Sequence, residues 1–227
     1  MNHTLYDAAI IDLDGTLVDT LGDFHAVLSA VLDELGLARV DRAFVERSIG
    51  RGSEHLIRVT LEEVGGAPGL GEAAWESYQA HYDRVNGEHA EVFAGVIEGL
   101  DALAAHGIAL ACLTNKPTAF ACDLLNTMGL ASYFSLVFGG DAFERKKPDP
   151  LPLLKTCEAL GSSPARTLMI GDSSNDARAA RAAGCPVVLV TYGYNHGEPV
   201  RAVDCDGFLD SLAEIGDWIA DGRIKAG

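Results

Sequence analysis

Short apolar runs alternate with longer stretches patterned at helical spacing along most of this chain, the signature of a parallel sheet covered by helices. Ala8-Ala9-Ile10-Ile11 reads as a first strand ending at Asp12, Ile108 to Leu113 as another, and Leu136-Val137-Phe138 as a short one. Leu168-Met169-Ile170 and Val187 to Val190 complete the series. Helices are expected from about Pro117 to Met128, from Asn175 to Ala183 and from Asp210 to Ile219.

From about Thr20 to Glu88 the alternation stops. Val27, Val31 and Leu35, with Leu28 and Leu32, recur at helical spacing, and Leu56, Val59 and Val64 suggest a further helix. Gly65-Gly66-Ala67-Pro68-Gly69 breaks two helices apart. The expected architecture is therefore α/β, a Rossmann-like parallel-sheet core formed by residues 1–18 and 89–227. An all-helical bundle over 19–88 is inserted after the first strand. Gly50-Arg51-Gly52 is no dinucleotide fingerprint, because no strand precedes it.

With 227 residues, 48% of them apolar, the chain can bury a continuous core. Its formal net charge of -16 is spread along the sequence. Such a surface repels nucleic acid and anionic membrane, so neither is expected as a partner. It repels phosphorylated molecules too, so a site for one must gather local positive charge. No apolar run approaches the ~20 residues of a membrane span, and Met1 to Asp7 lacks the basic and apolar regions of a signal peptide. The five cysteines form no C-x-x-C pair and mostly sit in apolar surroundings, which favours a reducing, cytoplasmic setting. In that setting the sequon Asn2-His3-Thr4 has no meaning. The seven histidines show no metal-binding spacing, so zinc hydrolysis has no support.

Polar clusters at or near the strand ends carry the chemistry. Asp12-Leu13-Asp14-Gly15-Thr16 directly follows the first strand, where open α/β sheets bind ligands. Two acids so close push their proton affinities apart, and the backbone bend at Gly15 can offer amides to phosphate oxygens. An ordinary Asp-Gly turn is the alternative. Gly171-Asp172-Ser173-Ser174-Asn175-Asp176 follows another strand; Asp172 with Asp12 would suit a hard cation such as Mg²⁺, while acidic helix capping is the blander reading. Lys147, held before Pro148, can neutralise a carboxylate and an incoming phosphate together. Thr114 and Asn115 can bond phosphate oxygens or simply cap a helix. Lys116, Arg145, Lys146 and Lys147 supply the positive charge that the acidic chain requires.

In order and content these clusters resemble the phosphatase branch of the haloacid dehalogenase superfamily, over essentially the whole chain. The resemblance implies that Asp12 attacks phosphorus and forms an aspartyl-phosphate. Asp14 then serves as acid and base, Thr114 binds phosphate, and Lys147 steadies charge. It implies Mg²⁺ held by Asp12, the Asp14 carbonyl and Asp172, with Asp176 acting through water. Residues 19–88 correspond to that family's cap domain. Gly15, Thr16, Asn115 and Lys147 are expected around a small phosphorylated metabolite.

Leu113-Thr114-Asn115-Lys116-Pro117, Lys146-Lys147-Pro148, Gly171-Asp172-Ser173 and Tyr192-Gly193-Tyr194-Asn195 are similar to the bacterial phosphoglycolate phosphatases. Gly22, where proline is common, and Asp149, where histidine is common, depart from that subgroup. Arg51 is the candidate donor to a substrate carboxylate, with Arg47, His55 and Lys116 as rivals. Sugar-phosphate phosphatase, pyrophosphatase and phosphomutase remain alternatives, and a non-catalytic binding module is the remote one. Oligomeric state is not legible.

Overall fold

The computed structural model describes residues 5–220, so the sequon at Asn2 lies outside the described residues. β1 (Ala8–Ile11) is followed by β2 (Val18–Asp19) and by α1 (Leu21–Glu34), α2 (Arg42–Ser48), α3 (Ser53–Glu63) and α4 (Gly71–Val85). β3 (Glu91–Val92) and α5 (Val96–Ala105) lead into β4 (Ala109–Leu113), α6 (Thr118–Thr127) and β5 (Leu136–Phe138). α7 (Leu151–Leu160), β6 (Thr167–Gly171), α8 (Ser174–Ala183), β7 (Val187–Val190), β8 (Gly207–Leu209) and α9 (Ile215–Ala220) complete the described chain.

Six strands form one parallel sheet in the order β5-β4-β1-β6-β7-β8. β1 is central and buried on both faces, which is why its sequence is an unbroken apolar run rather than an alternation. Ala9 and Ile11 face a core shared with Leu100, Leu103, Leu124 and Ile215. Ile10 faces the other, with Leu153, Cys157, Ala177 and Ala180. After β1 the chain adds strands outward on the β4 side, then returns to β6 on the other. The carboxyl ends of β4, β1 and β6 therefore meet at a topological switch point, where such sheets bind ligands.

α1 to α4 carry a second apolar cluster of their own, with Phe24, Val27, Leu28, Val31, Leu32, Phe44, Leu56, Tyr78 and Tyr82 buried. Val27, Leu28, Val31 and Leu32 form the buried stripe expected of α1, whereas Leu35 lies just past its end and is only partly covered. In α3 the buried positions are Ser53, Leu56, Ile57 and Thr60, while Val59 and, just past its end, Val64 are only partly covered. β2 and β3 pair antiparallel, so the chain enters and leaves the helical segment along one ribbon. Gly22 lies flat against this exit: a Cβ there would sit 2.3 Å from the His89 carbonyl oxygen. Asp23 is buried and accepts the amides of Gly87 at 2.7 Å and His89 at 2.8 Å.

Several elements have no counterpart among the sequence expectations. β2, β3 and β8 hold two or three residues each, too few for a period to register. α5 and α7 are likewise unanticipated. The last helix starts at Ile215 rather than Asp210, because Ser211 first caps a 3-10 turn over Leu212–Glu214. Among the described residues no helix is long and apolar enough to cross a membrane.

Candidate active site

Asp12 leaves β1 with its amide bonded to the Ile170 carbonyl, so its backbone direction is set by the sheet itself. Its carboxylate is 2.9 Å from the Lys147 ammonium. The same ammonium reaches Asp176 at 2.7 Å and the Leu113 carbonyl at 2.8 Å. Lys147 thus donates to Asp176 and the Leu113 carbonyl and sets its charge against Asp12, three groups from separate segments. Burial works against its charge, but Asp12 and Asp176 outweigh that and hold its pKa above the ordinary lysine value.

Asn115 makes this placement possible. Its carbonyl oxygen accepts the Lys147 amide at 3.0 Å, and its side-chain amide donates to the Lys147 carbonyl and the Gly50 carbonyl, each at 2.9 Å. Those bonds commit the side chain to fixing Lys147, so Asn115 is not free for the phosphate oxygens expected of it. Thr114 fits its expectation better. Its hydroxyl accepts the Lys116 amide at 3.2 Å, leaving its proton to donate.

Asp172, after β6, accepts the Tyr194 amide at 2.6 Å and a long contact from the Thr16 hydroxyl at 3.4 Å. Asp176 closes a capping box with Ser173, accepting its amide at 3.1 Å and its hydroxyl at 2.8 Å. The capping reading of this motif is therefore true, and the same Asp176 also turns its other oxygen to Lys147. Gly15 has φ +85°, and a Cβ on it would meet an Asp172 oxygen at 2.3 Å. The expected cradle of free amides at Gly15 and Thr16 is not formed. Their N–H groups close the turn internally, on the carbonyls of Val18 and Leu13. Thr16, fully buried, serves Asp172 rather than a ligand.

Oxygens of Asp12, Asp172 and Asp176 lie within 4.8 Å of one another. With Asp14 there are four buried carboxylates against two buried lysines, Lys116 and Lys147, an excess of two negative charges. Burial pushes Asp12 up to about 7, Asp176 and Asp14 adding to it and Lys147 opposing. Burial, then Asp176 and Asp12, hold Asp172 well above the usual carboxylate range. An all-oxygen set with two surplus charges fits a hard divalent cation. Asp12 and Asp172 are the better placed ligands, since both Asp176 oxygens are already engaged by Lys147 and Ser173.

Asp14 bonds the Lys116 ammonium at 2.8 Å. A small cavity opens above these groups, lined by Asp12, Asp14, Thr114 and Lys116 from the sheet side and by Phe24, Ile49, Gly52 and Leu56 from the helical segment. Arg51 is exposed and is not among the lining residues, although Gly50 and Gly52 on either side are. Arg47 stacks on Phe44 and lies 3.9 Å from Glu63, and His55 contacts Arg58 at 3.0 Å, so neither rival is brought in. Of the four basic residues flanking the strand ends, Arg145 pairs with Asp149 and Lys146 with Glu54, both on the outside.

The Tyr192 to Asn195 loop is a clamp that sequence alone could not separate from a surface loop. The Tyr192 hydroxyl donates to the Thr16 carbonyl at 2.9 Å. That of Tyr194 donates to Asp19 and accepts the amides of Thr20 and Leu21. Asn195 accepts the Ser174 amide at 2.8 Å, tying the loop to α8. His196, half-buried, rests its ring against Gly50.

The sequence profile of the haloacid dehalogenase-like hydrolases matches residues 9–190. A phosphoglycolate phosphatase from Thiobacillus denitrificans is 46% identical over 210 residues, covering 91% of this chain and 92% of the relative. One from Nitrosospira multiformis is 43% identical over 210 residues, with the same coverage of 91% and 92%. The crystal structure of a predicted phosphoglycolate phosphatase from Haemophilus somnus superposes with a TM-score of 0.89 at 31% identity, covering 94% of this chain and 98% of that one.

Proposed function

Because the chain belongs to the haloacid dehalogenase-like hydrolases, we propose that it is a Mg²⁺-dependent phosphatase that converts 2-phosphoglycolate to glycolate and phosphate. The observation that carries this reading is the Lys147 ammonium fixed between Asp12 and Asp176 beside a cavity that also holds Asp14 and Thr114. Phosphoryl transfer is mostly positioning and charge neutralisation, and this arrangement supplies both. The substrate assignment rests on the names of the relatives at 43–46% identity.

In the proposed reaction an Asp12 oxygen attacks phosphorus. The bond from phosphorus to the ester oxygen breaks as Asp14 passes that oxygen a proton, and glycolate leaves. Asp14, now a carboxylate, takes a proton from a water that attacks the aspartyl-phosphate. The Asp12–phosphorus bond breaks, restoring the carboxylate and releasing phosphate. Lys147 keeps Asp12 ionised and draws a phosphoryl oxygen, and the Thr114 hydroxyl donates to another. Asp12, the Asp14 carbonyl and Asp172 would hold Mg²⁺, with Asp176 supporting through water. The ion would neutralise phosphoryl charge that two lysines alone leave unbalanced.

Residues 19–88 act, in this reading, as a cap over a core of 1–18 and 89–227. Their separate apolar cluster and the single β2–β3 ribbon joining the two support that division. The free cysteines agree with work in the cytoplasm.

Phosphate release with Mg²⁺, comparing 2-phosphoglycolate with sugar phosphates, nucleotides and pyrophosphate, tests the proposal. Preference for phosphoglycolate, lost in Asp12→Asn and on chelation, is the expected result. Equal or greater activity on the other esters would keep the mechanism and discard the substrate. Inactivity on all of them would leave a binding module.

A further inference from the structure

We propose that Lys116 is the residue that selects the substrate, by holding a second anionic group one carbon away from the phosphate ester oxygen. The inference deepens the phosphatase reading and rests on it.

Lys147 and Lys116 are both buried, but their ammonium groups are used differently. Lys147 donates to Asp176 and the Leu113 carbonyl, and its charge faces Asp12 at 2.9 Å. Lys116 donates to one acceptor only, Asp14, at 2.8 Å. Its side chain is 2% exposed, so bulk solvent barely reaches it. Around it stand the ring of Phe24 at 4.5 Å and that of Tyr82 at 4.8 Å, which steady a cation but accept no strong hydrogen bond. Two of its donors thus have no acceptor among the described residues, and among those residues Lys116 is the one cation lining the cavity. An unmet buried donor is costly, and an anionic acceptor entering the cavity would meet it.

Distance restricts what that acceptor can be. In the proposed reaction Asp14 hydrogen-bonds the ester oxygen, at about 2.6–3.2 Å. Lys116 is one hydrogen bond from Asp14, so its partner on the substrate must lie close to that same oxygen. A carboxylate on the first carbon meets this requirement; one placed farther along a chain does not. Phe24, Ile49 and Leu56 form the apolar side of the cavity. Hydroxyl groups of a sugar would be left unpaired against them, which disfavours sugar phosphates. The selected class is therefore a short 2-phosphorylated acid, gripped from the end of β4 rather than by Arg51 of the cap.

Lys116→Met keeps the stem against Phe24 and Tyr82 while removing the charge. Calorimetric titration of glycolate and of inorganic phosphate, into wild type, Lys116→Met and Arg51→Ala, reads the two halves of the site separately. Expected is a glycolate affinity lowered ~10- to 100-fold by Lys116→Met, as for a lost charge-assisted hydrogen bond, with phosphate changed less than about 3-fold and Arg51→Ala near wild type. Equal losses for both ligands, no loss for either, or the glycolate loss in Arg51→Ala instead would each overturn the inference. Should Lys116→Met fail to fold, wild type suffices: kcat/KM for 2-phosphoglycolate must exceed that for ethyl phosphate, which lacks the carboxylate, by at least ~10-fold, and parity refutes the role of Lys116. Wild type that hydrolyses neither ester refutes the phosphatase reading itself, a distinct outcome.

Discussion

Asp12 carries opposing demands: as the proposed nucleophile it has to be ionised, yet it is buried. Its pKa, raised by burial to about 7, defines what the metal-free protein does with pH. A carboxyl whose pKa is higher folded than unfolded contributes its stability below the unfolded value, about 4. It loses that contribution as pH rises through the folded value, here near 7. In chelator, the melting temperature is expected to fall between pH 5 and pH 8, and in Asp12→Asn this fall should shrink. Thermal melts of both proteins across that range check it. At pH 8 without metal, Asp12→Asn is expected to be the more stable by on the order of 1–3 kcal/mol, while phosphate release falls at least ~1000-fold. A variant as active as wild type would remove Asp12 from the chemistry.

At the scale of elements, what matters is how loops fasten strand ends to each other. Ser173 caps α8 and at the same time aligns Asp176 with Lys147. Ser173→Ala is expected to cost roughly 0.5–2 kcal/mol in denaturant unfolding and to lower kcat as Asp176 loosens. Unchanged stability would show that the cap is dispensable. The entry and exit of the helical segment are fastened by Asp23, whose burial raises its pKa while the amides of Gly87 and His89 lower it. Asp23→Ala leaves those two amides unmet and should cost about 1–3 kcal/mol. Gly22 explains one departure from the subgroup pattern. Any side chain there would strike His89, so Gly22→Pro should destabilise rather than restore, which a denaturation midpoint decides. Asp149, the other departure, accepts the Leu151 amide and pairs with Arg145 on the surface, away from the cavity.

For the whole molecule the governing quantity is charge. The chain is at -16 overall, and its site keeps two carboxylates more than lysines. A divalent cation should therefore stabilise the folded protein, and more so at pH 8 than at pH 5, where Asp12, raised to about 7, holds a proton in competition with the ion. The melting temperature with and without Mg²⁺ at the two pH values measures this. A gain that is equal at both, or absent in wild type, would count against the three-aspartate site. Asp172→Asn should abolish most of the gain.

The polar residues following β1 and β6, and five of the six strands of the sheet, were legible because local pattern dictates them. A doubly covered strand has to be apolar throughout, and a residue at its carboxyl end has to face the switch point. So Asp12, Asp14, Thr114 and Asp172 stand out at strand ends in the sequence, while Lys147, Asp176 and the role of each rest on the family resemblance. Their division of labour is not legible there. That Lys147 lies between two carboxylates while Lys116 meets one, that Asn115 binds backbone, and that Arg51 faces solvent depend on which groups come within 3 Å. The hydrogen-bonded neighbours among them are 29 to 102 positions away in sequence. Short strands such as β2, β3 and β8 were equally invisible, because pairing with a distant segment, not their own composition, makes them strands. Sequence determines what each segment can become; only tertiary packing decides which donors are spent and which remain for a substrate.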